Sequence, residues 1–355
     1  MRTPRLCSLL AAGLAAAISL NGHAAAKTDF SVCWTIYAGW MPWEYGEAEG
    51  IVDKWAKKYD INIDVVQIND YVESINQYSA GQFDGCTMTN MDALTIPAAG
   101  GIDSTALIIG DFSNGNDGVV VKGENKSLAD LKGQPVNLVE LSVSHYLLAR
   151  GLESVGLSEK DLSVVNTSDA DLVAAFATDE VKAVTTWNPL LAEVEATPGV
   201  TKVFDSSQIP GEIIDLMVVN SDTLKDNPAF GKALTGAWYE IMATMSADNA
   251  AGKAAREHMA KASGTDLAGY EAQLAATKMF YAAKDAVAFA TSPALPATMS
   301  KVAAFSHSHG LLGEGAANAE AIGMSFAKGV TTGDQGNLKL RFDPSYMQMA
   351  ADGKL

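Results

Sequence analysis

Between residues 29 and 111, short apolar runs of strand length alternate with longer stretches whose apolar positions recur at helical spacing. The pattern predicts strands at 30–37, 61–68, 83–88 and 104–109, with helices at 45–59, 72–80 and 92–99. Alternation of this kind means a parallel sheet covered by helices. Gly100-Gly101 punctuates the series, and Asn90 has the chemistry of a helix N-cap. At Asp111-Phe112-Ser113-Asn114-Gly115-Asn116-Asp117-Gly118 the chain turns polar and glycine-rich, then resumes with the apolar run 119–121. A second series follows, with strands at 135–139, 162–166, 183–186 and 201–204 and helices at 142–155, 169–177 and 189–195. The run 213–219 reads as a strand returning to the first group. From Ser221 onward the sequence is helical, rich in Ala and Met, and carries few strand signals. No repeat of about 20–50 residues stands out, which argues against a solenoid.

The expected organisation is two α/β lobes: residues 27–112 begin the first, 113–217 form the second and 218–355 complete the first. Lobes joined by strand crossings make a hinge-bending clamshell. Both sheets would aim strand C-terminal ends and helix N-termini at the cleft between them.

The N-terminus supplies an address. Arg2 and Arg5 precede an apolar run at 6–20 that ends in His23-Ala24-Ala25-Ala26, the pattern of a cleavable signal peptide over residues 1–26 and of export to the periplasm. Cys7 is not at the cleavage point, so no lipid anchor is expected. No later segment approaches the roughly 20 apolar residues of a membrane span. The net charge is −17, and loss of Arg2 and Arg5 with the leader takes it to −19. A surface this acidic disfavours nucleic acid and anionic membrane. Only Cys33 and Cys86 survive processing, each in an apolar strand-like segment. The plain expectation is two buried thiols, because side-by-side strands give poor bridge geometry even where the compartment permits a disulfide.

Several motifs carry a family likeness: Gly39-Trp40-Met41-Pro42-Trp43, Tyr78-Ser79-Ala80-Gly81-Gln82-Phe83-Asp84, Thr89-Asn90-Met91-Asp92-Ala93, Leu128-Ala129-Asp130-Leu131-Lys132-Gly133 and Trp187-Asn188-Pro189. Over residues 29–220 the chain resembles the periplasmic binding components of the nitrate/sulfonate/taurine class of ABC importers. The Trp-rich loop and the Asn-Met-Asp turn resemble the branch encoded beside urea carboxylase, an enzyme group associated with guanidine breakdown. The resemblance implies a periplasmic-binding-protein type II clamshell, an α/β fold of two doubly wound lobes with a helical C-terminal region. It also implies a non-enzymatic, cofactor-free monomer that delivers a small molecule to an inner-membrane permease with its ATPase.

The loops expected at strand C-termini, 37–46, 87–93, 110–117, 139–146, 185–189 and 210–217, hold Glu44, Asp92, Asp111, Asp117, Glu140, Glu212 and Asp215 and no Lys or Arg. A nitrate or sulfonate site calls for a cationic group or a dense array of N–H donors. This set is electronegative. The same loops carry Tyr37, Trp40, Trp43, Tyr45, Phe112, Tyr146 and Trp187. Aromatic faces beside carboxylates suit a planar, weakly hydrated cation, with cation–π attraction of about 0.5–2 kcal/mol per ring and carboxylates accepting paired N–H bonds. Guanidinium meets both demands, and urea meets them more weakly, with sulfonate or nitrate behind. The candidate ligand-binding residues are Trp40, Trp43, Glu44, Asn90, Asp92, Glu140, Ser142, Trp187 and Asp215.

Each has a plainer role to set beside that one. Trp40 and Trp43 could pack a lobe interface. Glu44 and Asp92 begin predicted helices, where acidic residues stabilise through the helix dipole. Asp111 and Asp117 could simply cap hinge turns. Ser142 and Ser144 open a helix whose N–H groups hold oxyanions in sulfonate-binding relatives, yet Glu140 beside them would repel an anion. Adjacent Ser144-His145 lacks a nucleophile elbow, and no metal-ligand spacing or phosphate-cradling glycine motif is present. His307 and His309 read as surface residues of the helical tail. The competing classes are a pyrimidine-precursor-synthase-like enzyme, which resembles this family but carries a Cys-rich motif that this chain lacks, and a ligand sensor that signals to a membrane receptor.

Overall fold

The computed structural model describes residues 27–355; the expected signal peptide, residues 1–26, lies outside them. The chain opens with β1 (Asp29–Trp34), β2 (Asn62–Gln67), β3 (Gly85–Thr89) and β4 (Ser104–Ser113), then passes to a second sheet made of β5 (Asp117–Lys122), β6 (Pro135–Leu138), β7 (Ser163–Asn166), β8 (Ala183–Trp187) and β9 (Val200–Asp205). It returns through residues 206–213 to β10 (Ile214–Asn220), and later adds β11 (Thr277–Met279), β12 (Gly323–Ser325), β13 (Thr331–Thr332) and β14 (Leu338–Phe342) to the first sheet.

The first sheet has the order β13-β12-β14-β4-β10-β3-β1-β2, with β11 on β4, and the second β7-β6-β8-β5-β9. Neither is the purely parallel sheet that the alternation predicts. β10 runs antiparallel to β3 and β4, and β5 antiparallel to β8 and β9. The strand reversed in the middle of each sheet is the one that arrives from the other lobe, and the short β11 and β13 also pair antiparallel. A chain leaving one sheet at its cleft-facing end enters the next sheet at the cleft, so it must run against its new neighbours. Consequently the end of β4 and the starts of β5 and β10 all lie at the cleft.

Local chemistry explains the element boundaries. The single helix predicted over 45–59 is two, Met41–Ala48 and Ile51–Lys58, because Gly50 takes the left-handed conformation at φ 66°. Pro42 occupies the first turn, where a missing N–H costs no helical bond. The N-cap at the end of β3 is Thr89, whose Oγ1 accepts the Asp92 N–H at 3.4 Å, and Asn90 is the first helical residue. The strands after residue 221 escaped the sequence pattern because they run two to five residues and get their stability from pairing, as where Leu340 of β14 aligns with Ser104 of β4.

Cys33 and Cys86 correct a second expectation. They are register partners on the adjacent parallel strands β1 and β3 and are joined as a disulfide, with Cα atoms 4.4 Å apart. Direct opposition of two buried neighbours brings the backbones within the separation a bridge spans. Among the described residues no helix is long and apolar enough to cross a membrane.

Candidate functional site

A small cavity lies where the cleft-facing ends of the two sheets meet. Its wall is aromatic on one side: Tyr37 and Trp40 follow β1, Tyr71 begins the helix after β2, and Trp187 ends β8. The rings form a continuous chain, with centroids 5.0 Å apart for Tyr37–Trp40, 5.7 Å for Trp40–Tyr71 and 5.6 Å for Tyr71–Trp187. Three come from the first lobe and Trp187 from the second, so the chain is complete only when the lobes are together. The space that the centre of a water-sized sphere can occupy is about 10 Å³, roughly what one water molecule needs.

The surroundings are also acidic. Asp215, at the start of β10, lines the cavity and is the register partner of Asp111 at the end of β4. Asp117, at the start of β5, lines it from the second lobe. Asp92 stands one layer back, with its carboxyl near the Val143 N–H that opens the helix Val143–Ser154. All four are buried. Tyr37 O–H donates to Asp111 Oδ1 at 3.2 Å, Ser113 O–H donates to Asp117, and Tyr71 O–H and Thr89 O–H donate to Asp92 Oδ2 at 2.7 and 2.9 Å. The other oxygens, Asp92 Oδ1, Asp111 Oδ2 and Asp215 Oδ2, are buried without a hydrogen-bond partner. Gly39 makes room for one of them: a Cβ there would stand 2.4 Å from Asp111 Oδ2.

No Lys or Arg is among the described residues that line this cavity. Removal from water is therefore the leading influence on these acids and disfavours their charged forms. Burial pushes Asp92 up to about 6 and Asp117 up to about 7, each against the hydrogen bonds its carboxyl accepts. Asp111 and Asp215 are also raised by burial, and Asp215 is raised further by the neighbouring charge of Asp111. Buried carboxyl oxygens left without donors beside an aromatic pocket are chemically matched to a donor-rich cation.

The nine candidates separate into three groups. Trp40, Trp187 and Asp215 line the cavity, and Asp92 supports it. Trp43, Asn90 and Ser142 are buried but structural. Trp43 packs on Trp238 with centroids 5.1 Å apart. The Asn90 amide clamps the lobe crossing, donating to Glu212 O at 3.1 Å and accepting from Ile214 N at 3.0 Å. Ser142 caps its helix, donating to Val139 O and accepting from Ser144 N. Glu44 and Glu140 point elsewhere: Glu44 meets His258 Nε2 at 2.9 Å away from the cavity, and Glu140 is exposed.

Sequence reasoning passed over Tyr71 because the loop after β2 was not counted among the strand ends. The short Asn69-Asp70 turn after an apolar run was the available signal. Asp117, readable as a turn cap, instead lines the cavity, and Asp111 stands beside Asp215 as its register partner. His309 is also not a free surface residue. The fold brings it to Glu159 and to the buried His145. His145 Nδ1 accepts the Leu141 N–H at 3.1 Å, which leaves the proton on Nε2. His145 thus presents a donor toward Glu159, not a metal-ligating lone pair.

Comparison with known proteins places this architecture. The family model described as NMT1/THI5 like matches residues 55–249, more than half of the chain. The chain belongs to the NMT1/THI5-like family. Within this family member Asp111, Asp117, Trp187 and Asp215 lie inside the matched segment, whereas Tyr37 and Trp40 precede it. Among solved structures, the alkanesulfonate-binding protein of Xanthomonas axonopodis pv. citri, bound to MOPS, superposes with a TM-score of 0.66 at 17% identity, covering 82% of this chain and 96% of that one. The periplasmic nitrate-binding protein of Synechocystis PCC 6803 gives 0.57 at 13% identity, covering 93% and 99%. These likenesses establish the fold, a periplasmic-binding-protein type II clamshell. A Brucella abortus protein named for a predicted binding role is 28% identical over 139 residues, 38% of this chain and 43% of that relative. The match thus spans less than half the length of the relative.

Proposed function

We propose that this chain is the solute-binding component of an ABC importer of the sulfonate/nitrate type, that it works in the periplasm, and that its own ligand is guanidinium. The reading rests on one observation: Asp117 and Asp215 line a cavity that has aromatic walls and no lining cation, and the carboxyls of Asp215 and of Asp92 and Asp111 behind the wall each keep a buried oxygen without a partner. Guanidinium supplies N–H donors in one plane and a diffuse charge that aromatic faces attract.

Function follows from the origin of the walls. Asp215, Trp40 and Tyr71 belong to one lobe and Asp117 and Trp187 to the other, so the ligand contacts both only in the closed state and shifts the population toward it. The closed form is then the one that an inner-membrane permease with its ATPase would recognise. An enzyme of the pyrimidine-precursor type draws less support, because both cysteines are tied together inside β1 and β3. Urea is the second reading, favoured by the Trp40 indole N–H, a buried donor without an acceptor that a urea oxygen could satisfy.

Isothermal titration of the mature protein, refolded to strip carried-over ligand, tests the set guanidinium, urea, taurine and nitrate. Saturable guanidinium binding that collapses in Asp215→Asn supports the proposal. Binding of taurine or nitrate with no response to guanidinium overturns it.

A further inference from the structure

Asp111 and Asp215 are directly opposed on β4 and β10, so their side chains leave the same face of the sheet at neighbouring positions. Each keeps one buried oxygen without a partner. The titratable groups that act on them directly are acids and phenols, with the one cation, Arg256, acting on a phenol farther out. Tyr37 comes from the loop after β1, Asp117 from β5 with Asp92 beyond it, and Tyr270 and Tyr281 from the C-terminal region, with Arg256 acting on Tyr281. Tyr37 donates its single proton to Asp111 Oδ1. Nothing in this set offers Asp111 and Asp215 a positive charge. Two like charges this close, out of water and without a counter-ion, do not both persist, and such carboxyl pairs hold a proton between them.

We propose that Asp111 and Asp215 form a carboxyl dyad that holds a proton while the cleft is empty and releases it to solvent when a small cation binds, so that the cleft exchanges charge for charge. This inference rests on the guanidinium reading above and adds to it a mechanism of selection. A cation replaces the proton and leaves the dyad's net charge unchanged. Neutral urea cannot displace the proton without stranding a second buried carboxylate, so it must bind the protonated dyad and loses an acceptor. Burial already raises both acids, in keeping with a proton that stays bound near neutral pH. The dyad is therefore a specificity-determining element, and it makes capture weaker in acid.

The test is calorimetric titration of the stripped wild-type protein with guanidinium chloride in phosphate and in Tris at matched pH and ionic strength, because the two buffers differ in ionisation enthalpy. The expected result is a buffer-dependent enthalpy corresponding to about one proton released per guanidinium bound. The Kd should also weaken by up to tenfold per pH unit on acidification, as one exchanged proton requires. Asp111→Asn should still bind guanidinium, more weakly, with the proton release abolished; rescue of release by Asp111→Glu would tie the effect to a carboxyl at that position. Guanidinium binding with equal enthalpy in both buffers and equal Kd at pH 6 and 8 overturns the dyad and leaves the guanidinium reading standing. Absence of guanidinium binding under all conditions overturns that reading and the dyad with it.

Discussion

Glu212 and Asp215 lie three positions apart on the segment that returns from the second lobe, and the fold treats them in opposite ways. Glu212 accepts from Tyr146 O–H at 2.7 Å, from Arg150 Nε at 2.8 Å and from Lys301 Nζ at 2.8 Å. Burial alone would raise its pKa, but these partners hold it down to about 2. Asp215 faces another carboxyl across the ladder and keeps an oxygen without a partner. Glu212 thus ties the crossing segment to the helix Val143–Ser154 on one side and the helix Ala294–Ser308 on the other. Asp215 is left for something that is not part of the chain. A buried acid reports a ligand only when the protein has not already supplied its cation.

The sharpest way to break this contrast is to remove one charge at a time. Asp215→Asn should weaken guanidinium binding about a hundredfold or more, the scale of losing a buried charge-pair partner, while raising the melting temperature of the empty protein. Glu212→Gln should do the reverse: binding changes little, and stability falls by about 2 kcal/mol because Arg150 and Lys301 lose their carboxylate. Thermal melts and titration of both variants decide the matter, and equal behaviour of the two would dissolve the distinction.

Trp187→Ala should cost roughly tenfold in affinity through the loss of one stacking face brought by the second lobe. It should leave the melting temperature of the ligand-free form within a few degrees of wild type.

Proton linkage gives a subtler contrast. Asp92, Asp111, Asp117 and Asp215 have folded pKa values raised above the unfolded value of about 3.9. Between about pH 4 and 7 the folded state therefore binds more protons than the unfolded state, and stability falls as pH rises through that window. Glu212 and Glu159, both lowered to about 2, act in the opposite sense, since their contribution is present above about pH 4.5 and is lost as pH falls toward 2. Melting curves of the stripped protein should show a maximum near pH 4–5 and a decline of a few degrees toward pH 8. A flat profile between pH 5 and 8 would mean that the acidic wall is not desolvated.

The smallest expected effects belong to Glu44→Gln and Glu140→Gln. Neither carboxylate reaches the cavity, so titration should show guanidinium affinity within about twofold of wild type for both, the usual outcome for changes away from a buried site.

Much of the architecture was legible along the chain. Apolar runs of strand length spaced by helices specified two α/β layers, and the polar, glycine-rich stretch around Ser113 to Asp117 marked where the chain changes sheet. The imbalance of charge was legible as well, because strand-end loops with seven acids and no Lys or Arg keep that composition however they fold. Local pattern could not assign strand direction. β10 and β5 run backwards because of where they enter their sheets, a property of the path through space and not of the residues in the strand. Nor could it sort the acids. Glu44, Glu140 and Glu212 were equivalent to Asp92, Asp111, Asp117 and Asp215 as letters, and they became surface, strap or site only when distant residues arrived or failed to arrive beside them. Lys301 reaches Glu212 across 89 positions, while no cation from anywhere in the described chain comes to line the cavity beside Asp215. Sequence fixes which charges a chain carries; the tertiary structure decides which remain unpaired, because pairing depends on distances that only the packed fold sets.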